Sequence, residues 1–76
     1  MKATIHIALI PMNYENQLLR RKQVEELTSL SRSSIYRLMD KGLFPKSKGI
    51  LGGNIVIWVR KEIEDWIKDQ IDTAVA

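Results

Sequence analysis

Apolar positions recur along this chain with more than one period, and each period predicts an element. Ile5, Ile7 and Leu9 alternate with His6 and Ala8, the spacing of a short strand or extended arm with one apolar face, which leaves His6 on the solvent side. This arm occupies residues 1–17; Met12, within it, is a candidate alternative translation start. From about Lys22 to Ser29 the pattern predicts a short helix with Val24 and Leu27 inward, Glu25 and Glu26 outward, and Leu19 and Leu30 packed at its ends. Arg21 occupies its N-cap position, where arginine is a poor cap.

Ser31 is a far better cap for the next helix. Ile35, Leu38 and Met39 fall at i, i+3 and i+4 to make one apolar stripe, and Gly42 supplies the stop. At about 100° per residue, Ser33, Arg37 and Asp40 point away from that stripe, with Ser34, Tyr36 and Lys41 on its flanks. Two short helices joined by Ser29-Leu30-Ser31 form a helix-turn-helix whose second member, helix 32–41, presents a polar, basic outer face.

After Phe44-Pro45 the period changes. Lys46 to Leu51 and Ile55 to Trp58 are strand-like, and Gly52-Gly53-Asn54 between them predicts a tight hairpin because Gly and Asn tolerate positive φ. This 46–58 hairpin is a wing. Val59 to Ile71 returns to a helical pattern, with Val59, Ile63, Trp66, Ile67 and Ile71 on the face that closes the core. Trp58 and Trp66 lie on the apolar sides of their elements and are expected to anchor that core. The predicted fold is therefore mainly α with a small β-hairpin wing, a winged helix-turn-helix over residues 18–71, followed by a C-terminal tail at 72–76.

With 76 residues the chain closes one core and leaves little material for a deep substrate pocket. Cysteine is absent and His6 is the single histidine, so neither a disulfide framework, a thiolate nucleophile nor a histidine–cysteine metal cluster is available. No cofactor and no small-molecule ligand are expected. Ala3 to Pro11 is too short for a membrane span and lacks a signal-peptide cleavage pattern, so the cytoplasm is the expected compartment.

Charge changes the picture more. The formal net charge is +3 and the pI is near 9.5, but the distribution is uneven. Arg20 to Lys48 carries a local net charge of +5, and Val59 to Asp72 one of −2. Such a polarised surface suits a domain that turns one side toward a polyanion, although a solvated charged surface has the same composition. A helix N-terminus offers free N–H groups and partial positive charge, so Ser31, Arg32, Ser33 and Ser34 form a phosphate seat as the helix enters the major groove. Arg37, one turn further in, is placed to reach a base edge, where its fork matches guanine O6 and N7. Tyr36 has two uses open to it, a hydroxyl contact to the backbone or simple packing. Lys41, Lys46 and Lys48 would meet phosphates, or else remain solvated.

Leu18-Leu19-Arg20 leading into Val24, the string Leu30-Ser31-Arg32-Ser33-Ser34-Ile35-Tyr36-Arg37, Phe44-Pro45, the Gly52-Gly53 tip, Trp58 and Glu62-Ile63-Glu64-Asp65-Trp66-Ile67 resemble the AlpA-type prophage regulators. These are relatives of phage excisionases and of the DNA-binding head of MerR regulators. The resemblance spans about Leu18 to Ile71. It implies a winged helix-turn-helix that binds double-stranded DNA and controls prophage or mobile-element genes, or acts as an excisionase-like architectural factor in site-specific recombination. Members commonly carry wing arginines, where this chain has Ile50 and Asn54 and keeps only Lys46 and Lys48 at the wing's base.

Other functions fit less well. Glu62, Glu64, Asp65 and Asp69 spread along the exposed side of an amphipathic helix and read as solvation, so the chain is not expected to be an enzyme. A protein-interaction module remains an alternative, because Ile5, Ile7 and Leu9 could pair as an edge strand with a partner or with a second copy. A ligand sensor is disfavoured because no residues after Ile71 would form an effector domain.

Overall fold

Three short helices and a three-stranded antiparallel sheet make up the protein in the computed structural model, which describes residues 16–75. The elements run β1 (Leu18–Leu19), α1 (Arg21–Thr28), α2 (Arg32–Asp40), β2 (Lys48–Ile50), β3 (Ile55–Val59) and α3 (Arg60–Thr73). The arm bearing Ile5, His6, Ile7 and Leu9, with Met12, lies outside the described residues.

Local chemistry explains the ends of the first two helices. α1 begins without a cap of the preferred kind: Arg20 precedes it, one residue earlier than expected, and the Gln23 side chain accepts from the Arg20 N–H at 2.8 Å. That is half of a capping box, since a guanidinium has no acceptor to return. α1 ends at Ser29, held at φ +62 with its N–H on the Glu25 carbonyl. The Thr28 hydroxyl then donates to the Val24 carbonyl and accepts from the Leu30 N–H, which fixes the turn into α2. Ser31 caps α2 as expected, its Oγ accepting from the Ser34 N–H at 3.2 Å. Gly42 at φ +72 stops it, with Gly42 N–H on Met39 and Leu43 N–H on Leu38, the paired bonds of a Schellman motif. Ser31→Ala removes the cap acceptor and is expected to lower stability by about 1 kcal/mol, read as a fall in the denaturant midpoint at unchanged slope.

The core consists of Leu19, Val24, Ile35, Phe44, Trp58 and Ile63, with Leu30, Leu38, Met39, Trp66 and Ile67 packed around it. Both tryptophans join it, but unequally. Trp58 is fully buried and donates its Nε1–H to the Pro45 carbonyl at 3.2 Å. Trp66 is half-buried, lies edge-on to Phe44 with centroids 4.7 Å apart, and donates to the Leu43 carbonyl at 2.9 Å. The two indoles thus hold the connection between α2 and the wing from both ends.

Several expectations are corrected. Leu27 is 38% exposed, because the inner row of α1 runs from Val24 to Thr28 rather than to Leu27. Ile71 is 69% exposed, since the packing of α3 ends at Ile67 and its last turn projects past the core. The first wing strand starts at Lys48, not Lys46, because pairing with β3 begins only where Lys48 stands opposite Ile57. The second continues to Val59, where α3 begins directly.

β3 is the central strand, with β1 on one side (Leu18 opposite Val59, Leu19 opposite Trp58) and β2 on the other (Lys48 opposite Ile57, Ile50 opposite Ile55). The two-residue β1 is too short for any periodicity to reveal. It extends the register into α3, whose first N–H, on Arg60, donates to the Gln17 carbonyl at 2.8 Å. That bond satisfies a group which Val59, lacking a polar side chain, cannot cap. At the wing tip the positive φ values fall on Leu51 (+52), Gly52 (+69) and Gly53 (+89) and not on Asn54. The hairpin is also closely folded: a Cβ at Gly49 would stand 3.1 Å from the Gly53 Cα.

Candidate nucleic-acid interface

Ser33, Arg37 and Asp40 lie on the side of α2 opposite Ile35, as the 100° spacing requires, and Arg32 and Tyr36 are exposed on its flanks. Ser31 and Ser34 order this end of the helix among themselves. Besides capping, the Ser31 hydroxyl lies 3.1 Å from Ser34 Oγ, and Arg37 Nη2 reaches back to the same Ser34 Oγ at 3.4 Å. Ser31 is therefore an orienting residue whose oxygen is already engaged. Among the described residues the N–H groups of Arg32 and Ser33 have no acceptor, so these two are the amides that the helix end offers to an anion.

Tyr36 packs: its ring meets Trp58 edge-on at a centroid separation of 6.3 Å, while 37% of the residue stays exposed. The Arg32 guanidinium carbon lies 6.0 Å from the centre of that ring, a long cation–π contact that keeps Arg32 over the helix's first turn. Of the two uses that sequence left open, packing is thus filled.

The lysines separate. Lys41 lies at the C-terminal end of α2, exposed, some nine residues or about 14 Å from Arg32 at the helix start. Lys46 is exposed on the connection to the wing. Lys48 is not free: its Nζ is 3.1 Å from Glu62 Oε1, joining β2 to the first turn of α3 with both side chains about half exposed. An exposed pair of this kind adds little stability, but it neutralises the lysine locally.

Arg20, Arg21 and Lys22, one of which the charge distribution already marks as a phosphate contact, belong to the same surface. With Tyr36, Asn54 and Val56 they line a concavity of about 440 Å³, so the start of α1, the middle of α2 and the foot of the wing tip face one another. The basic triplet is visible in the sequence; its meeting with Asn54 depends on the β1–β3–β2 order and is not. Arg21 is partly committed, with Nε 2.9 Å from Glu25 Oε2. On the other side of α1 a second concavity of about 410 Å³ includes Lys22 but also Glu25 and Glu26, so it is mixed in charge. The Tyr36 side is the cationic one.

Four of the five acidic residues of α3, all but Asp69, pair with cations on the same helix or on the wing base: Arg60 with Glu64 at 2.8 Å, Lys61 with Asp65, Lys68 with Asp72, and Glu62 with Lys48. No helix among the described residues is long and apolar enough to cross a membrane.

Comparison with known proteins agrees with this geometry. The family model described as prophage CP4-57 regulatory protein (AlpA) matches residues 17–71, which covers β1 through the core-packed part of α3. A relative from Enterobacteria phage P4, named "Uncharacterized protein ORF88", is 39% identical over 62 residues, covering 82% of this chain and 69% of that protein.

Proposed function

Because the chain belongs to the AlpA family of prophage regulatory proteins, we propose that it is a sequence-specific double-stranded DNA-binding regulator of prophage or mobile-element genes. α2 enters the major groove, the N–H groups of Arg32 and Ser33 take a phosphate, and Arg37 reads a base edge. Arg20, Arg21 and Lys22 with Lys46 contact the backbone on either side, and Lys41 extends the contact past the far end of the helix. The observation that carries this reading is the gathering of the basic start of α1, the outer face of α2 and the wing foot on one surface, while four of the five acidic residues of α3 are occupied in ion pairs. The same pairing supports a non-catalytic role. The protein acts in the cytoplasm, where its DNA is.

Selection of binding sites from a random duplex pool tests the reading. A recovered motif supports it, the number of half-sites gives the stoichiometry, and retention of no sequence above background would sink it. A salt series then assigns the lysines. Lys46→Ala is expected to make the slope of log K against log salt shallower by about 0.9, as the loss of one phosphate contact does. Lys48→Ala should change it less, since Glu62 already neutralises that charge, and Glu62→Gln should steepen the parent slope by freeing Lys48. Equal effects of the two lysine substitutions would show that the Lys48–Glu62 pair opens on DNA.

A further inference from the structure

The tip of the hairpin holds a bulky apolar residue in a backbone conformation that suits glycine. Leu51 sits in the left-handed region at φ +52 and is 70% exposed, so core packing does not compensate the strain. Its neighbours Gly52 and Gly53 have no heavy atom within 4 Å of where a Cβ would lie, which leaves Leu51 projecting from an otherwise bare tip. Between Lys41 and Lys61 the chain contains no acidic residue, so nothing in this segment opposes approach to a polyanion. Asn54, at the foot of the tip, already lines the concavity with Arg20, Arg21 and Lys22.

We infer that Leu51 is a DNA-contacting residue of an apolar kind: it presses into the minor groove beside the major-groove site of α2, against sugar and base edges. The inference rests on the DNA-binding reading above. An apolar wedge makes its contact by partly opening a base step, and it selects steps that open easily, such as a pyrimidine followed by a purine. It contributes affinity and a shape preference without releasing counterions. This explains how a wing without arginines can still engage the duplex.

The test measures the full chain by fluorescence anisotropy on a labelled duplex carrying the selected site, beside a thermal melt and a salt series. Leu51→Gly and Leu51→Asn both accept positive φ, so the melting temperature should equal or exceed that of the parent. Affinity should fall about tenfold, the equivalent of roughly 1.4 kcal/mol, with an unchanged salt slope. Affinity within about twofold of the parent overturns the inference, as does a lowered melt, which would make Leu51 a packing residue. Unchanged DNA affinity with lost self-association in sedimentation would assign the tip to a protein contact and equally overturn it. A parent chain that binds no duplex defeats the DNA-binding reading itself, a failure that shows before any substitution is made.

Discussion

Trp58→Ala is expected to unfold the domain. The side chain is fully buried near the end of β3, opposite Leu19 of β1, with Tyr36 against its ring and its N–H on Pro45. Truncating a buried aromatic costs about 3 to 5 kcal/mol, and a core of this size rarely supplies more than that in total. Trp66→Ala, on sequence grounds alone an equal candidate, should instead give a lower but still cooperative melt, because Trp66 is only half-buried. Trp58→Phe keeps a ring but loses the hydrogen bond and part of the buried indole, so it should cost more than about 1 kcal/mol, or more than roughly 4 to 8 °C in melting temperature, and less than Trp58→Ala. Circular dichroism through a thermal ramp checks all three. A cooperative Trp58→Ala melt close to the parent's would mean that the core is organised around another residue.

Arg37→Ala carries the largest expected effect on binding. The residue is exposed on α2, one turn inside the phosphate seat, and the Ser34 hydroxyl steadies its guanidinium. If Arg37 forks onto a guanine, its loss removes about 1 to 3 kcal/mol of discrimination, roughly 5- to 150-fold, confined to one position of the site. Arg37→Lys should not restore it, since a lysine is a point charge without the fork. The melt should be unchanged because the side chain faces away from Ile35. Competition against duplexes carrying each of the four base pairs at that position decides the matter, and uniform weakening over all four would reassign Arg37 to a phosphate.

Sequence pattern carried the helices well because their signals are local. Ser31, the Ile35-Leu38-Met39 stripe and Gly42 each act within one or two turns, and the cap bond, the buried face and the Schellman stop all appear as the pattern requires. The family assignment followed from the same stretch. What escaped depends on partners distant in the chain. β1 exists only because β3 pairs with it, and the exposure of Ile71 depends on where its neighbours stop. Lys48 reads as a free cation until α3 brings Glu62 within 3.1 Å, fourteen residues away. The cationic concavity also went unread, since Arg20 and Asn54 meet only through the sheet order. The turn itself was anticipated, but a strained leucine within it runs against residue preference, and preference was the signal available.

The two indole N–H bonds to Leu43 and Pro45 have a consequence for how a new target can be acquired. They turn the segment between α2 and the hairpin into a fixed-gap calliper whose jaws are the helix and the tip. With α2 and the tip in adjacent grooves, as proposed, a calliper of set width would measure the distance between them and would reject DNA whose local twist places the second groove out of phase, whatever its bases. Drift in target choice must then proceed by exchanging side chains on the jaws, at Arg32, Ser33, Arg37 or Leu51. An added residue between Gly42 and Lys46 would break one or both indole bonds and alter the gauge itself.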